Sequence, residues 1–452
     1  MSGKRVLLVV IALALWLPLA LAVLVPAQGD SEAADNLHAR LEAEALLRVA
    51  RLLTVAGVDR LPRDLSQMNA SDLRGVAPNT ALAISILELS AGDKAGAQSV
   101  LSLFEGQQSN PLARALERLA EGKDLSAQER AKALAYLSSF SNLSAQYYGY
   151  LLLADFPDDP ASFMGEGKYK GWLAEGERDK LWLAAAALGI VGALLLGAYY
   201  LWRSGRDCWR RLQSGEEGEP LPWRWRPVLS LYLFVGLSWL AMVVALVTVT
   251  WMRTKGAPAS LSLVLSQFLA YALCLLVLAW LLPKLVSPAG ERKLTSDQVL
   301  GLEGFKLSYI GQGLGGYGVA LVAAMGAGLI TSSCLGEPVR SSNPLLLLLA
   351  GSDRWEFSLF VALVLLGPIY EEVLFRGLLF QGLGAHISPI GAAVVSSLIF
   401  ALGHGDSHGL LVLTALGCVF CWLRRASGSL WPPIISHVLW NGGIVLYLLF
   451  IF

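Results

Sequence analysis

A surplus of charge is missing from this 452-residue sequence, in which 35 lysines and arginines balance 35 aspartates and glutamates. Nothing supplies the basic excess that phosphates demand, so nucleic acid is excluded as a partner. Charge of any kind is scarce. Only 15% of residues carry it, against about 25% in soluble domains. With 55% hydrophobic residues, the chain is too apolar to be soluble throughout. Cysteine is rare as well: there are five, and none lies in 30–180, so that segment has no disulfides. Cys418 and Cys421 form a C-x-x-C inside the apolar run Gly409–Leu423, where helix packing explains them better than metal or redox chemistry.

What charge there is clusters. Residues 30–180 hold 38 charged residues, 22 acidic and 16 basic. Around them stand long apolar runs: Val6–Val25, Leu181–Trp202, Val228–Trp251, Leu261–Leu282, Ser308–Ile330, Phe357–Phe380, Pro389–His404, Gly409–Leu423 and Leu430–Phe452. A helix needs about 20 apolar residues to cross a bilayer core. The expected fold is therefore an all-α, polytopic helical membrane protein with about eight or nine transmembrane helices and an all-helical extramembrane insert. Three parts follow: an N-terminal anchor or signal segment (1–29), an extracytoplasmic helical domain (30–180) and a polytopic membrane domain (181–452). Lys4-Arg5 before Val6–Val25 favours a retained anchor, with cleavage after Ala20-Leu21-Ala22 or Val25-Pro26-Ala27 as the alternative.

The lipid bilayer is thus a partner, and the basic residues set the orientation. With Lys4-Arg5 inside, the inner segments (203–226, 283–306 and 424–429) hold 14 basic residues and the short outer loops four. This places the N-terminus and basic loops in the cytoplasm, with 30–180 outside, and suits a multi-pass protein of a bacterial inner membrane. Trp202, Trp209, Trp223 and Trp225 read as an interfacial belt. In the insert, helical spacing runs through Ala33–Val55, Thr80–Phe104, Leu112–Ala120 and Ala127–Phe156. Ala81–Pro111 faintly resembles a tetratricopeptide unit, which would imply a peptide or protein partner; a generic bundle is the other reading. Gly311, Gly313, Gly315, Gly316 and Gly318 follow no strand, and their spacing reads as close helix packing rather than a dinucleotide loop.

Ionisable groups inside a membrane need a reason. From Phe357 onward there are three acids, Glu371, Glu372 and Asp406, yet four of the five histidines: His386, His404, His408 and His437. Glu372 and Arg376 stand four apart and can pair within one helix. Glu371 lies about 100° around the helix without that partner and is the candidate general base. Phe400 and His404 share the same spacing, as do His437 and Asn441. His386 and His408 sit among glycines or beside proline and read as loop residues, and Asp406 reads as a partner or cap.

Glu371-Glu372-x-x-x-Arg376, Phe400-x-x-x-His404 and His437-x-x-x-Asn441, in this order on separate apolar segments, resemble the three motifs of the CAAX protease and bacteriocin-processing family of intramembrane proteases. The likeness covers roughly Phe357–Phe452 and leaves out the insert. It implies an endopeptidase acting on a membrane-embedded or lipidated (CAAX-type) peptide or protein. Glu371 and His404 would activate water, His437 and Asn441 would stabilise the oxyanion, and Glu372, Arg376 and Phe400 would support the site. In the family's metal-dependent reading a divalent ion such as zinc would instead be held by Glu371, His404 and His437; the metal-free reading is preferred because pairing with Arg376 consumes one carboxylate. Two other classes use the same residues: a proton-coupled carrier and a catalytically silent scaffold. One conflict stands. A straight span over Pro389–His404 puts His404 near the outer face, while Glu371 and His437 both fall about 10 Å from the inner one.

Overall fold

The computed structural model describes residues 45–55, 78–104, 110–154, 160–214, 227–286, 296–335, 354–404 and 409–451. Among them every regular element is helical. The protein is an all-α polytopic membrane protein. The chain divides into two compact units, essentially 28–187 and 188–446, with the boundary inside the helix Glu166–Ser214. The run Val6–Val25 lies outside the described residues.

In the first unit, short helices begin where the sequence supplies caps. Asp93 accepts from Gly96 N–H and opens Lys94–Leu101. Asn110 caps Pro111–Ala120, whose first residue is proline, and Asn142 caps Leu143–Leu153. Ser126 and Glu129 form a reciprocal capping box on Ala127–Leu137. The expected stretch Ala127–Phe156 is therefore two helices, because Asn142 starts a new one after a turn. Thr80–Phe104 is likewise split, at Gly92-Asp93, into Pro78–Ala91 and Lys94–Leu101. Pro111 begins a helix rather than closing the previous hairpin. The helices share an apolar core including Leu82, Ile86, Leu112 and Leu137. The helix 45–55 is tied in by two hydrogen bonds: Ser144 Oγ donates to Leu47 O, and the buried Trp172 Nε1 donates to Ser144 Oγ.

The second unit contains eight longer helices: α1 (Glu166–Ser214, shared with the first unit), α2 (Pro227–Thr254), α3 (Ala259–Val286), α4 (Leu307–Leu335), α5 (Arg354–Glu372), α6 (Pro389–Leu402), α7 (Leu410–Ser427) and α8 (Trp431–Ile451). Among the described residues, five helices (α1–α4 and α7) are long and apolar enough to cross a membrane. Their outward faces are apolar: on α1, Leu188, Val191 and Leu195 are all more than half exposed, as lipid-facing side chains are. The glycines of α4 make a tight crossing. A Cβ at Gly315 would stand 3.0 Å from the backbone of Leu196 on α1, which supports the packing reading of that series.

Helix α5 runs unbroken through Gly367-Pro368, where the sequence suggests an interruption. The departure comes later. Val373–Leu379 is a π turn, with Phe380 N–H bonded to the carbonyl of Phe375 five residues back. Ser396 Oγ donates to the same carbonyl at 3.3 Å. Proline removes one donor but leaves the helix room to continue when neighbours pack around it, and Tyr271 lies over Gly367. A floor closes this end: Leu430 N–H and Ser429 Oγ both bond Gly301 O, and Leu300 packs against Gly377.

Candidate active site

The π turn delivers two charged side chains to a fully buried position. Glu372 and Arg376 are both 0% exposed, and Arg376 Nη1 donates to Glu372 Oε1 at 2.9 Å. A second guanidinium nitrogen, Nη2, donates to the carbonyl of Gly417 on α7 at 3.3 Å. The guanidinium carbon also lies 4.6 Å from the Phe400 ring centre and 5.1 Å from that of Phe420. A charge at this depth is tolerable only when paired and hydrogen-bonded. Here an anion, a carbonyl and two aromatic rings surround it.

His437 of α8 completes the pair. Its Nδ1 stands 2.8 Å from Glu372 Oε1, and because a carboxylate only accepts, Nδ1 carries the proton. Nε2 is left for the other side, where Glu371 Oε2 lies 3.6 Å away, beyond hydrogen-bond distance. Glu371 keeps 18% of its side chain exposed whereas Glu372 has none. One carboxylate is therefore structural in its surroundings and the other is open. The Phe420 ring stacks on the imidazole at 4.9 Å and 23°.

His404 follows α6. Its Nδ1 donates to Phe400 O at 2.8 Å, which leaves Nε2 as the acceptor nitrogen. The Phe400 ring stands between the two imidazoles, 4.6 Å from His404 and 5.9 Å from His437, and packs on Phe375 at 5.2 Å. The conflict over depth disappears here. From Glu371 the chain descends to Gly384 before turning, about 20 Å, and Pro389–His404 climbs back by a similar amount. The mismatch arose from ending the descent at the membrane face. Helix α6 has 14 residues, or about 21 Å, too short for a full span of about 30 Å.

The other sequence candidates are placed less closely. Asn441 is half-buried one turn after His437, with no hydrogen bond among the described residues. His386 is exposed in the turn before α6. Asp406 and His408 lie outside the described residues. Cys421 is buried in the core beside Ser397. Four residues that line the cluster escape the motifs: Phe375, Ser396, Gly417 and Phe420. Gly417 has a steric reason, since a Cβ there would stand 2.6 Å from that of Ser397 on α6.

The metal-dependent reading fits this arrangement poorly. Glu372 Oε1 already takes hydrogen bonds from Arg376 and His437. Among the described residues no three His, Cys, Asp or Glu side chains converge as a ligand set.

Residues 353–443 match the family model described as type II CAAX prenyl endopeptidase Rce1-like, a range that contains every residue of the cluster. The chain is 35% identical over 82 residues to YdiL of Bacillus subtilis (strain 168), named as a membrane peptidase; this covers 18% of the chain and 34% of the relative. It is 30% identical over 142 residues to the membrane-embedded CAAX protease MroQ of Staphylococcus aureus (strain USA300), covering 29% and 55% respectively. The chain thus spans about a third to a half of these relatives' lengths. No solved structure matches it.

Proposed function

We propose that this chain, whose membrane segment 353–443 belongs to the CAAX protease and bacteriocin-processing family, is an intramembrane endopeptidase. The observation that carries the reading is the division of labour between adjacent glutamates: Glu372 is locked by Arg376 and His437, while Glu371 stays open and faces His437 Nε2.

The chemistry follows from which nitrogens are already used. Glu371 and the free Nε2 of His404 take the proton of a water that attacks the scissile carbonyl. The proton on Glu371 passes to His437 Nε2, across a gap that closes when substrate binds. His437, now carrying a proton on both nitrogens, and the Asn441 amide meet the oxyanion. When the tetrahedral intermediate collapses, the C–N bond breaks and the same proton goes to the leaving amine. The substrate class is a membrane-embedded or lipidated peptide or protein, and the setting is a bacterial inner membrane with the basic loops inside.

Hydrolysis of a membrane-anchored peptide by the purified protein tests this. Cleavage should vanish in Glu371→Ala and in His404→Ala while both variants stay folded. Cleavage retained in both would overturn the assignment, and proton-coupled uptake into vesicles without hydrolysis would favour the carrier.

The outer unit is proposed to recruit or gate a substrate or partner. Deleting 33–178 should change which peptides are cut more than the rate on a minimal peptide. Unchanged selectivity counts against it.

A further inference from the structure

Phe420 belongs to none of the three motifs, yet it touches both ends of the buried network. It is 1% exposed. Its ring lies 4.9 Å from the His437 imidazole at a 23° interplanar angle, a stacked pair, and its centre is 5.1 Å from the Arg376 guanidinium carbon. Glu372 fixes only one atom of His437, the Nδ1 end. A single hydrogen bond leaves the ring free to swing about that contact. The stacked face removes this freedom, because tilting the imidazole drives it into Phe420 or into the edge of Phe400.

We infer that Phe420 is a positioning residue for the reaction: it sets the plane of His437 and so aims Nε2 at Glu371 and the reacting carbonyl. The residue comes from α7, an element that contributes no catalytic side chain. It is held there by the Gly417 crossing and by Arg376's bond to the Gly417 carbonyl. Flat contacts of this type are worth little as stability beyond the area they bury, whereas a misaimed catalytic group costs rate steeply.

The inference rests on the endopeptidase reading for its kinetic arm and stands without it for its spectroscopic arm. In the full-length protein, Phe420→Leu removes the flat face while keeping bulk, and Phe420→Tyr keeps the face. Expected is a fall in kcat of about 100-fold for Phe420→Leu, with KM little changed, and most of the activity restored in Phe420→Tyr. With 15N-labelled histidine, wild-type His437 should show ring protons shifted upfield by the stacked ring and an Nδ1-protonated signature. Phe420→Leu should lose the upfield shift. Wild-type kcat in Phe420→Leu, an equal loss in Phe420→Tyr, or unshifted His437 protons in the wild type would each overturn the proposal. The last of these needs no variant to fold. If the wild type cleaves nothing, the endopeptidase reading fails while the spectra still decide the placement of His437.

Discussion

His437 approaches Glu372 through Nδ1 at 2.8 Å, on the same carboxylate oxygen that accepts from Arg376. One oxygen thereby joins a helix of the first motif to the helix of the third.

Removing that oxygen leaves a guanidinium buried without its counter-charge. Glu372→Ala should cost about 3–5 kcal/mol, and Glu372→Gln, which keeps an acceptor, should cost less. Thermal or denaturant unfolding in detergent measures both. If the alanine variant is as stable as wild type, the pair is not holding the bundle together.

Chelation separates the two versions of the chemistry. Because Glu372 is already occupied and no three donors converge among the described residues, hydrolysis should survive exhaustive dialysis against a chelator. Loss of activity that returns with zinc, and not with calcium, would instead establish the metal-dependent version.

In the outer unit, Tyr148 is buried against helix 45–55. Its hydroxyl shares a hydrogen bond with Thr54 Oγ1 at 2.6 Å and donates to Ala50 O at 3.0 Å. Burial pushes this phenol up to about 12, against about 10 when unfolded. A raised value favours the neutral form, so its contribution to stability is complete below pH 10. It is lost as pH rises from 10 through 12. Amide exchange of residues 45–55 should accelerate across that window. Tyr148→Phe should flatten the dependence, and an unchanged pH profile in that variant would assign it to another group.

Much of the fold is legible because it is written in simple physical patterns. Apolar runs mark α1 to α4, and Asn110, Ser126 and Asn142 mark helix starts through side chains that accept from the following turn. The Glu372–Arg376 pair is legible as well, since four-residue spacing within one helix brings side chains together locally. Contacts across helices are not. Nothing in the spacing of Phe420 announces that it lies on His437, because that meeting depends on how α7 crosses α6 at Gly417. The irregularity of the first motif is also mislocated by sequence: proline draws the eye to Pro368, while the π turn begins at Val373, where Ser396 and the neighbouring helices compensate the backbone. The return of His404 to the level of Glu371 depends on the whole hairpin, which a span-by-span depth count cannot represent.

The π turn also changes what a length variant would mean. Such a turn takes up one residue more than an α turn, so Val373–Leu379 stores a phase shift inside an otherwise continuous helical path. Deleting one residue there would restore the ordinary pitch and rotate everything that follows by about 100°, turning Phe380–Gly384 off its neighbours. Composition, hydropathy and net charge would hardly register the change. Alignments that slide a gap through this stretch to gain identity would therefore erase the feature that makes Glu372 and Arg376 neighbours of His437.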